Sequence, residues 1–335
     1  MIADVVVDLQ YGDCGKGKIA HHLCKTGNYT HVIRYNGGCN AGHTIYHKGK
    51  KFVTHHIPCG VFFDIPSIIG PGCVIHVETL LEEIENLENE GIPARDLLFV
   101  SSNAHIITDF HRIEDSKDEK IGTTKRGNGP AYRDKYARKG VRAIEDSRLS
   151  PYLIDVYDEL YENNSYKNVK ILFEGAQGFG LDIDWGDYPY VTSSHCTVGS
   201  AILNGVPPTA IRDIWGVAKI YETYVGTKKF QGDDEIFNEI REIGEEYGST
   251  TGRPRQINWL DFDLLKMASR INGVNRLVFN KMDVLDELQL WCLYDGPNLY
   301  EFTSREDVEF WLTTKLNLEV NPDMEIFFSG DKNCI

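Results

Sequence analysis

The sequence predicts an α/β fold: a central, mostly parallel β-sheet with flanking helices, of the phosphate-loop type. Three observations carry that expectation. Short apolar runs rich in β-branched residues, such as Val5-Val6-Val7 and Val169 to Phe173, read as strands buried on both faces. Segments with apolar residues at helical spacing lie between them. Successive strands run out into glycine-rich loops, which is how open α/β sheets hold ligands along their carboxyl edge. The length of 335 residues gives a soft prior of about two domains. No linker, internal repeat or low-complexity stretch divides the chain, so one domain over 1–335 is expected.

The elements follow in order. Val5-Val6-Val7 leads into Asp8-Leu9-Gln10-Tyr11-Gly12-Asp13-Cys14-Gly15-Lys16-Gly17-Lys18, and a helix from Ile19 to Lys25 leaves it. Val32 to Tyr35 is a strand that runs into a second glycine-rich loop, residues 36–44. Short strands are expected at Ile45-Tyr46, Lys51 to His55 and Ser67 to Ile75. A helix over 78–90 places Leu80, Leu81, Ile84 and Leu87 on one face. Leu97 to Val100 and Ala104 to Ile107 are strands. Residues 121–130 cannot be regular structure, and 151–162 look helical. Val169 to Phe173 ends in Glu174-Gly175-Ala176-Gln177-Gly178, a third glycine-rich exit. Residues 188–195 are loop, Ile214 to Tyr221 is strand, and 233–247 is an acidic helix. Residues 248–255 form a fourth loop rich in glycine and arginine. A helix over 262–271, a strand from Arg276 to Phe279 and a last helix over 305–315 complete the pattern.

Net charge is −15, which argues against general nucleic-acid binding. Between Lys120 and Arg142, however, eight basic residues stand against one acid, Asp134. Interleaved with glycine and threonine, they suit an anion-binding surface. The eight cysteines are scattered without a C-x-x-C pair. They read as reduced thiols of a cytoplasmic protein, and a zinc site at Cys14 and Cys39 lacks ligand spacing. The chain starts directly with a strand, and no apolar run is long enough to span a bilayer, so no membrane partner is expected.

Gly12 to Gly17-Lys18 fits the phosphate-loop spacing G-x-x-x-x-G-K, in which backbone N–H groups and a helix N-terminus face a phosphate. Two features break the template. Ile19 stands where a Ser or Thr would hold Mg²⁺, and Asp13 puts a carboxylate where it would repel phosphate. Asn280-Lys281-Met282-Asp283 follows an apolar strand. An Asp there can accept from both N1–H and the 2-amino group of guanine, which makes GTP the expected nucleotide. A GTP-dependent switch would need the missing hydroxyl at position 19. His43, Gln177, Thr192, Arg126, Arg138, Arg253 and Arg255 supply more polar groups than one nucleotide needs. An enzyme with further anionic substrates is therefore preferred over a regulatory module.

In order and over the whole chain, these motifs resemble those of the adenylosuccinate synthetase family, in a compact form like the archaeal members. The residues that carry the resemblance are Gly12-Asp13 with Gly15 to Lys18; Asn40 to Thr44; Ile121 to Thr124 with Arg126-Gly127 and Gly129 to Tyr132; Glu174 to Gly178; Tyr188 to Ser194; Thr250 to Arg253; and Lys281 with Asp283. The resemblance implies a ligase that forms a C–N bond, joining L-aspartate to C6 of IMP at the expense of GTP through a 6-phosphoryl intermediate. It implies Asp13 as the base at purine N1 and His43 as a donor to the transferring phosphoryl group. It implies GTP binding by Gly12, Cys14, Gly15, Lys16, Gly17, Lys18, Gly42, Thr44, Arg255, Lys281 and Asp283, with Ser329 and Gly330 closing on the guanine. Mg²⁺ would be held by Asp13 and the Gly42 carbonyl. Asn40, Thr124, Gln177 and Thr192 would hold the purine monophosphate, with Arg138 reaching it from the other subunit of a homodimer. Thr250, Thr251 and Arg253 would take the aspartate carboxylates.

Four positions depart from the family pattern. Cys14 stands where Glu is usual, Cys39 where His is usual and Lys125 where Gly is usual, while Pro254 interrupts an arginine run. A smaller residue at Cys14 would make room for a 2-amino group, so GMP or dGMP is the alternative acceptor. Retention of Asp13 favours IMP.

Overall fold

The computed structural model describes residues 1–163, 166–248 and 252–330. Its organising strand is β1 (Ile2–Asp8), buried along its whole length after Ile2. Successive side chains of a strand point to opposite faces. Accordingly, Ala3, Val5 and Val7 join one apolar cluster and Val6 joins the other. A run of β-branched residues is what a strand covered on both sides requires.

Eight further strands extend this sheet. In chain order they are β2 (His31–Arg34), β3 (Ser67–Ile69), β4 (Leu98–Ser101), β5 (Leu153–Ile154), β6 (Lys170–Glu174), β7 (Ile211–Lys219), β8 (Arg276–Asn280) and β9 (Glu325–Phe328). Their spatial order is β9-β8-β7-β1-β6-β2-β3-β4-β5, and every pairing is parallel. The chain therefore winds outward in both directions from β1, so the carboxyl ends of β1, β2, β6, β7 and β8 lie side by side. The loops after β1, β2 and β6 carry three of the glycine-rich motifs, whereas the 248–255 segment follows the helix Ile236–Ile243. A smaller four-stranded sheet, Tyr221–Tyr224, Gln256–Asp261, Trp291–Asp295 and Asn298–Phe302, packs beside the first. A hairpin, His43–His47 with Lys50–Thr54, rises next to the phosphate-loop helix Lys16–Thr26.

Several expectations change. Residues 121–127 are irregular, but Asn128 opens a helix that runs to Tyr136. Gly127 at its N-cap takes φ 84°, and Pro130 falls in the first turn, where its missing N–H costs nothing. Residues 151–162 are not one helix. Pro151 lies within a 3₁₀ stretch that ends at Tyr152, Leu153–Ile154 pairs with the edge of the sheet, and a π-type turn covers Asp158–Glu162. The acidic helix is confined to Ile236–Ile243. Met282-Asp283 is not a simple strand end but starts the helix Met282–Leu288, with Lys281 at φ 66° as its cap. The strands at 256–261, 291–295, 298–302 and 325–328 and the helix Asp109–Asp115 were not expected.

Ile33 is fully buried in the core beside Tyr35 and Phe173, whereas Leu318 is 79% exposed. Ile33→Ala is expected to cost about 2–5 kcal/mol and Leu318→Ala less than about 0.5 kcal/mol, read from urea midpoints at constant m-value.

Candidate active site

The phosphate loop is wound around a carboxylate of its own. Asp8, the last residue of β1, is buried. Its Oδ1 accepts the N–H groups of Gln10 at 3.0 Å and Gly12 at 3.2 Å; its Oδ2 accepts Cys14 N–H at 3.1 Å and Lys16 Nζ at 3.0 Å. Gly12, Asp13 and Gly15 have φ of 87°, 59° and 96°. A side chain at Gly15 would also strike Asn280, whose amide donates to Cys14 O at 2.7 Å. Gly178 is closed to larger residues too, because a Cβ there would lie 2.5 Å from both Gln10 O and Gly12 N. The third glycine-rich exit is thereby pressed against the first.

Cys14 turns away from the cleft. Its buried thiol donates to Gln10 Oε1 at 3.0 Å, and burial, with Asp8 nearby, pushes its pKa well up. It does not line the cleft, so its size does not widen it, contrary to the expectation of room there for a 2-amino group. Cys39 does line the cleft, 3.5 Å from Asn128 Oδ1.

Asp13 projects from the loop with 41% of its side chain exposed. Burial of its surroundings opposes ionisation, but Arg255, Lys219 and Lys16 outweigh it and hold the carboxyl below its usual range. Arg255 Nη2 lies 2.9 Å from Asp13 Oδ2. Arg255 also pairs with buried Glu246, which binds Lys219 at 2.7 Å.

His43 begins the hairpin and reaches the cleft over the phosphate loop. Its Nδ1 pairs with Glu174 Oε1, and Glu174 is in turn bound by Arg34 Nη2 at 2.8 Å and Cys59 N–H at 2.9 Å. Arg34 Nη1 lies 3.3 Å from His43 Nε2. Burial, then the charge of Arg34, pushes the His43 pKa down to about 4 against the pull of Glu174. The imidazole is therefore neutral near pH 7. Donation from Nδ1 to Glu174 leaves Nε2 as an acceptor.

One cleft of about 1130 Å³ gathers most of the expected residues: Gly12, Asp13, Gly15, Lys16, Gly17, Lys18, Asn40, Gly42, His43, Thr44, Thr124, Gln177, Thr192, Arg253 and Arg255 all line it. Arg126 and Arg133 from the basic segment do so as well. Gln177 is held at φ 57°, and its buried Oε1 has no partner. Lys281, Asp283, Ser329 and Gly330 do not line this cleft. They group beyond the phosphate loop, with Gly330 packed on Asp283, and Lys18 Nζ bridges to Asn280 Oδ1 at 3.3 Å and Ser329 Oγ at 2.9 Å. Arg138 is exposed and lies outside the cleft. Thr250 and Thr251 lie outside the described residues. Sequence reasoning missed Asp8, Lys219 and Glu246. The available signal was a charged residue that closes an apolar run, Asp8 after Val5-Val6-Val7 and Lys219 after Ile214 to Ala218.

A phosphate loop with a projecting carboxylate, a neutral histidine above it and arginines around one large cleft define a nucleotide-dependent enzyme rather than a switch. The cleft exceeds the about 300–1000 Å³ typical of single-ligand pockets. The sequence model of the adenylosuccinate synthetase family matches residues 5–146 and 145–293. The chain belongs to that family, whose members are C–N bond-forming ligases of purine biosynthesis that use GTP to join aspartate to IMP. It is 39% identical to the adenylosuccinate synthetase of Chlorobium chlorochromatii, over 90% of this chain and 82% of that one. It is 41% identical to that of Halothermothrix orenii, over 85% and 78% respectively. The alignment with the Chlorobium protein runs to 362 residues, more than the 335 of this chain, so that relative has segments absent here. The fully ligated adenylosuccinate synthetase of Plasmodium falciparum superposes with a TM-score of 0.84 at 32% identity, covering 97% of this chain and 96% of that one. A cyanophage S-2L succinoaminodeoxyadenylate synthetase, bound to dGMP and dATP, shares the fold with a TM-score of 0.72 at 23% identity, covering 93% and 99%.

The depressed His43 pKa links to stability. Between pH 6.5 and about 4 the unfolded imidazole binds a proton that the folded one refuses, so stability falls as pH falls through that window, by roughly 3 kcal/mol at most for this residue. The NMR titration of the His43 ring is expected to have its midpoint near pH 4 and to move upward in Arg34→Met. A midpoint near 6.5 in the unmodified protein would contradict the arrangement.

Proposed function

We propose that residues 1–335 act as one catalytic domain that joins L-aspartate to C6 of IMP, with GTP as phosphoryl donor, and that the expected residues divide the task as follows. The supporting observation is the position of Asp13: a carboxylate presented to the cleft from within a phosphate loop whose winding is fixed by Asp8. There it can take the N1 proton while O6 attacks the γ-phosphate. It is a weak base, so positioning supplies most of its effect.

His43 is neutral in the resting chain. The approach of the triphosphate favours its protonation, because negative charge nearby stabilises imidazolium. Protonated, it releases the Arg34 Nη1 contact at Nε2 and donates from Nε2 to the transferring phosphoryl group, with Glu174 holding the ring from the other side. The Gly12 to Lys18 loop, Gly42 and Thr44 hold the GTP phosphates. Lys281 and Asp283, with Ser329 and Gly330, hold its guanine at the far side of Lys18. Asn40, Thr124, Gln177 and Thr192 bind the purine monophosphate, Thr250, Thr251 and Arg253 take the aspartate carboxylates, and Arg255 sits between the aspartate and GTP ends.

Mg²⁺ fits the donor set. The Asp13 carboxylate and the Gly42 carbonyl are hard oxygen donors, the kind this ion prefers, on two residues that line one cleft, and the bound ion would neutralise phosphate charge. The cluster Asp182, Asp184 and His195 is the alternative grouping among the described residues. It is better explained by loop structure, since the Asp182 carboxylate accepts the N–H groups of Asp184, Trp185 and Cys196. Arg138 is exposed and outside its own cleft, which suits a role on the partner subunit's nucleotide in a homodimer. No described helix is long and apolar enough to cross a membrane, and the cysteines among the described residues form no disulfide, which suits the cytoplasm.

Asp13→Asn should lower kcat by about 10²–10⁴-fold while a fluorescent GTP analogue binds within a few-fold of normal. Normal turnover would remove Asp13 as the base. Phosphate release with GTP should require both aspartate and a purine monophosphate. Among IMP, GMP and dGMP, kcat/KM should be highest for IMP; a preference for dGMP would move the enzyme to 2-aminoadenine nucleotide synthesis.

A further inference from the structure

Behind the cleft wall lies a charged cluster that the roles above leave unused. Glu246 is fully buried and does not line the cleft. Its carboxylate receives Lys219 Nζ at 2.8 and 2.7 Å, Tyr221 OH at 2.7 Å and Arg255 Nη1. Lys219 is itself fixed by its backbone, whose N–H donates to Gln10 Oε1 at 2.9 Å and whose carbonyl accepts Gln10 Nε2 at 3.1 Å. The backbones of Glu246 and Arg255 are also joined, N–H of Arg255 to O of Glu246 at 2.9 Å. Arg255 is thus anchored through Nη1 to a rigid anion while Nη2 lies 2.9 Å from Asp13 in the cleft.

This arrangement matters when Asp13 engages a purine proton and a cation. A guanidinium resting on Asp13 alone would then leave for solvent. One anchored by Glu246 stays, with Nη2 presented to the next anion that enters. Arg253 and Gly248 line the same cleft beside Arg255, so that anion arrives at the end of the cleft that these three residues line. We propose that Glu246 is a positioning residue for the amino-acid substrate: it holds Arg255 so that Nη2 passes from Asp13 to a carboxylate of the incoming aspartate. The inference rests on the ligase reading above. That reading stands or falls on aspartate-dependent phosphate release by the unmodified enzyme; the inference depends only on how variants change it.

A Glu246 that merely neutralises Lys219 makes a different prediction from one that positions Arg255. Glu246→Gln should raise KM for aspartate about tenfold or more, the value of one charge-assisted hydrogen bond, with KM for IMP and GTP changed less than about threefold. The double variant Lys219→Met/Glu246→Gln removes the unpaired buried cation. It should regain the thermal midpoint of the unmodified enzyme yet keep the raised aspartate KM, and it carries the measurement if the single variant does not fold. Recovery of both midpoint and KM in the double variant would overturn the proposal. So would an unchanged aspartate KM, or a rise confined to GTP.

Discussion

The structure depends on the buried carboxylate of Asp8. A loop that binds phosphate must turn several N–H groups inward without a ligand to hold them there. Here Asp8 takes the N–H groups of residues 10, 12 and 14 and the ammonium of Lys16. The loop is thereby set by an internal anion before any nucleotide arrives. Removing one partner of such a buried pair costs far more than the pair contributes, since it leaves a charge without compensation. The left-handed Gly12 and Asp13 follow from that winding, and so does the outward aim of the Asp13 side chain.

From this point the sheet distributes the chemistry. β1 delivers the phosphate loop, β6 ends at Glu174 and β2 at Arg34, and the neighbours in the sheet bring that carboxylate and guanidinium together under His43. On the other side β7 ends at Lys219 and β8 at Asn280. Asn280 ties the guanine-side segment to the phosphate loop through Cys14 O. Parallel pairing is what makes this possible, because it sets the ends of strands distant in sequence at one edge.

How much of this the sequence disclosed follows from the range of the interactions. Local signals were legible: the strand, glycine turn and helix around residues 5–25, the amphipathic helix after His76, and the cleft-lining loops, whose residue types are constrained by ligands. Tertiary signals were not. Leu153–Ile154 is a strand only because the edge at Val100 and Ser101 accepts it, and nothing within 151–162 announces that. The helix from Asn128 was hidden because Gly129 and Pro130 read as breakers, although Pro in a first turn is no obstacle. Cys14 was misread for the same reason. Its place in the motif suggested a purine neighbour, whereas its thiol is claimed by Gln10, which is itself fixed by Lys219 across 209 positions of chain.

The ion pairs packed around the phosphate loop are also balanced in charge. Asp8 pairs with Lys16, Asp13 with Arg255, Glu246 with Lys219 and Glu174 with Arg34. Each carboxylate has its cation, so these eight groups together exert little net pull on a triphosphate. Three of the four pairs are buried on both sides; the exception is Asp13, which is partly exposed. It is therefore the pair that ligands can open at least cost. Opening it frees a carboxylate and a guanidinium at the same moment, one suited to a proton or a cation and the other to an anion. A loop that carries Asp13 thus loses little phosphate affinity at rest, and gains a charge separation at the point where the substrates have to be brought together.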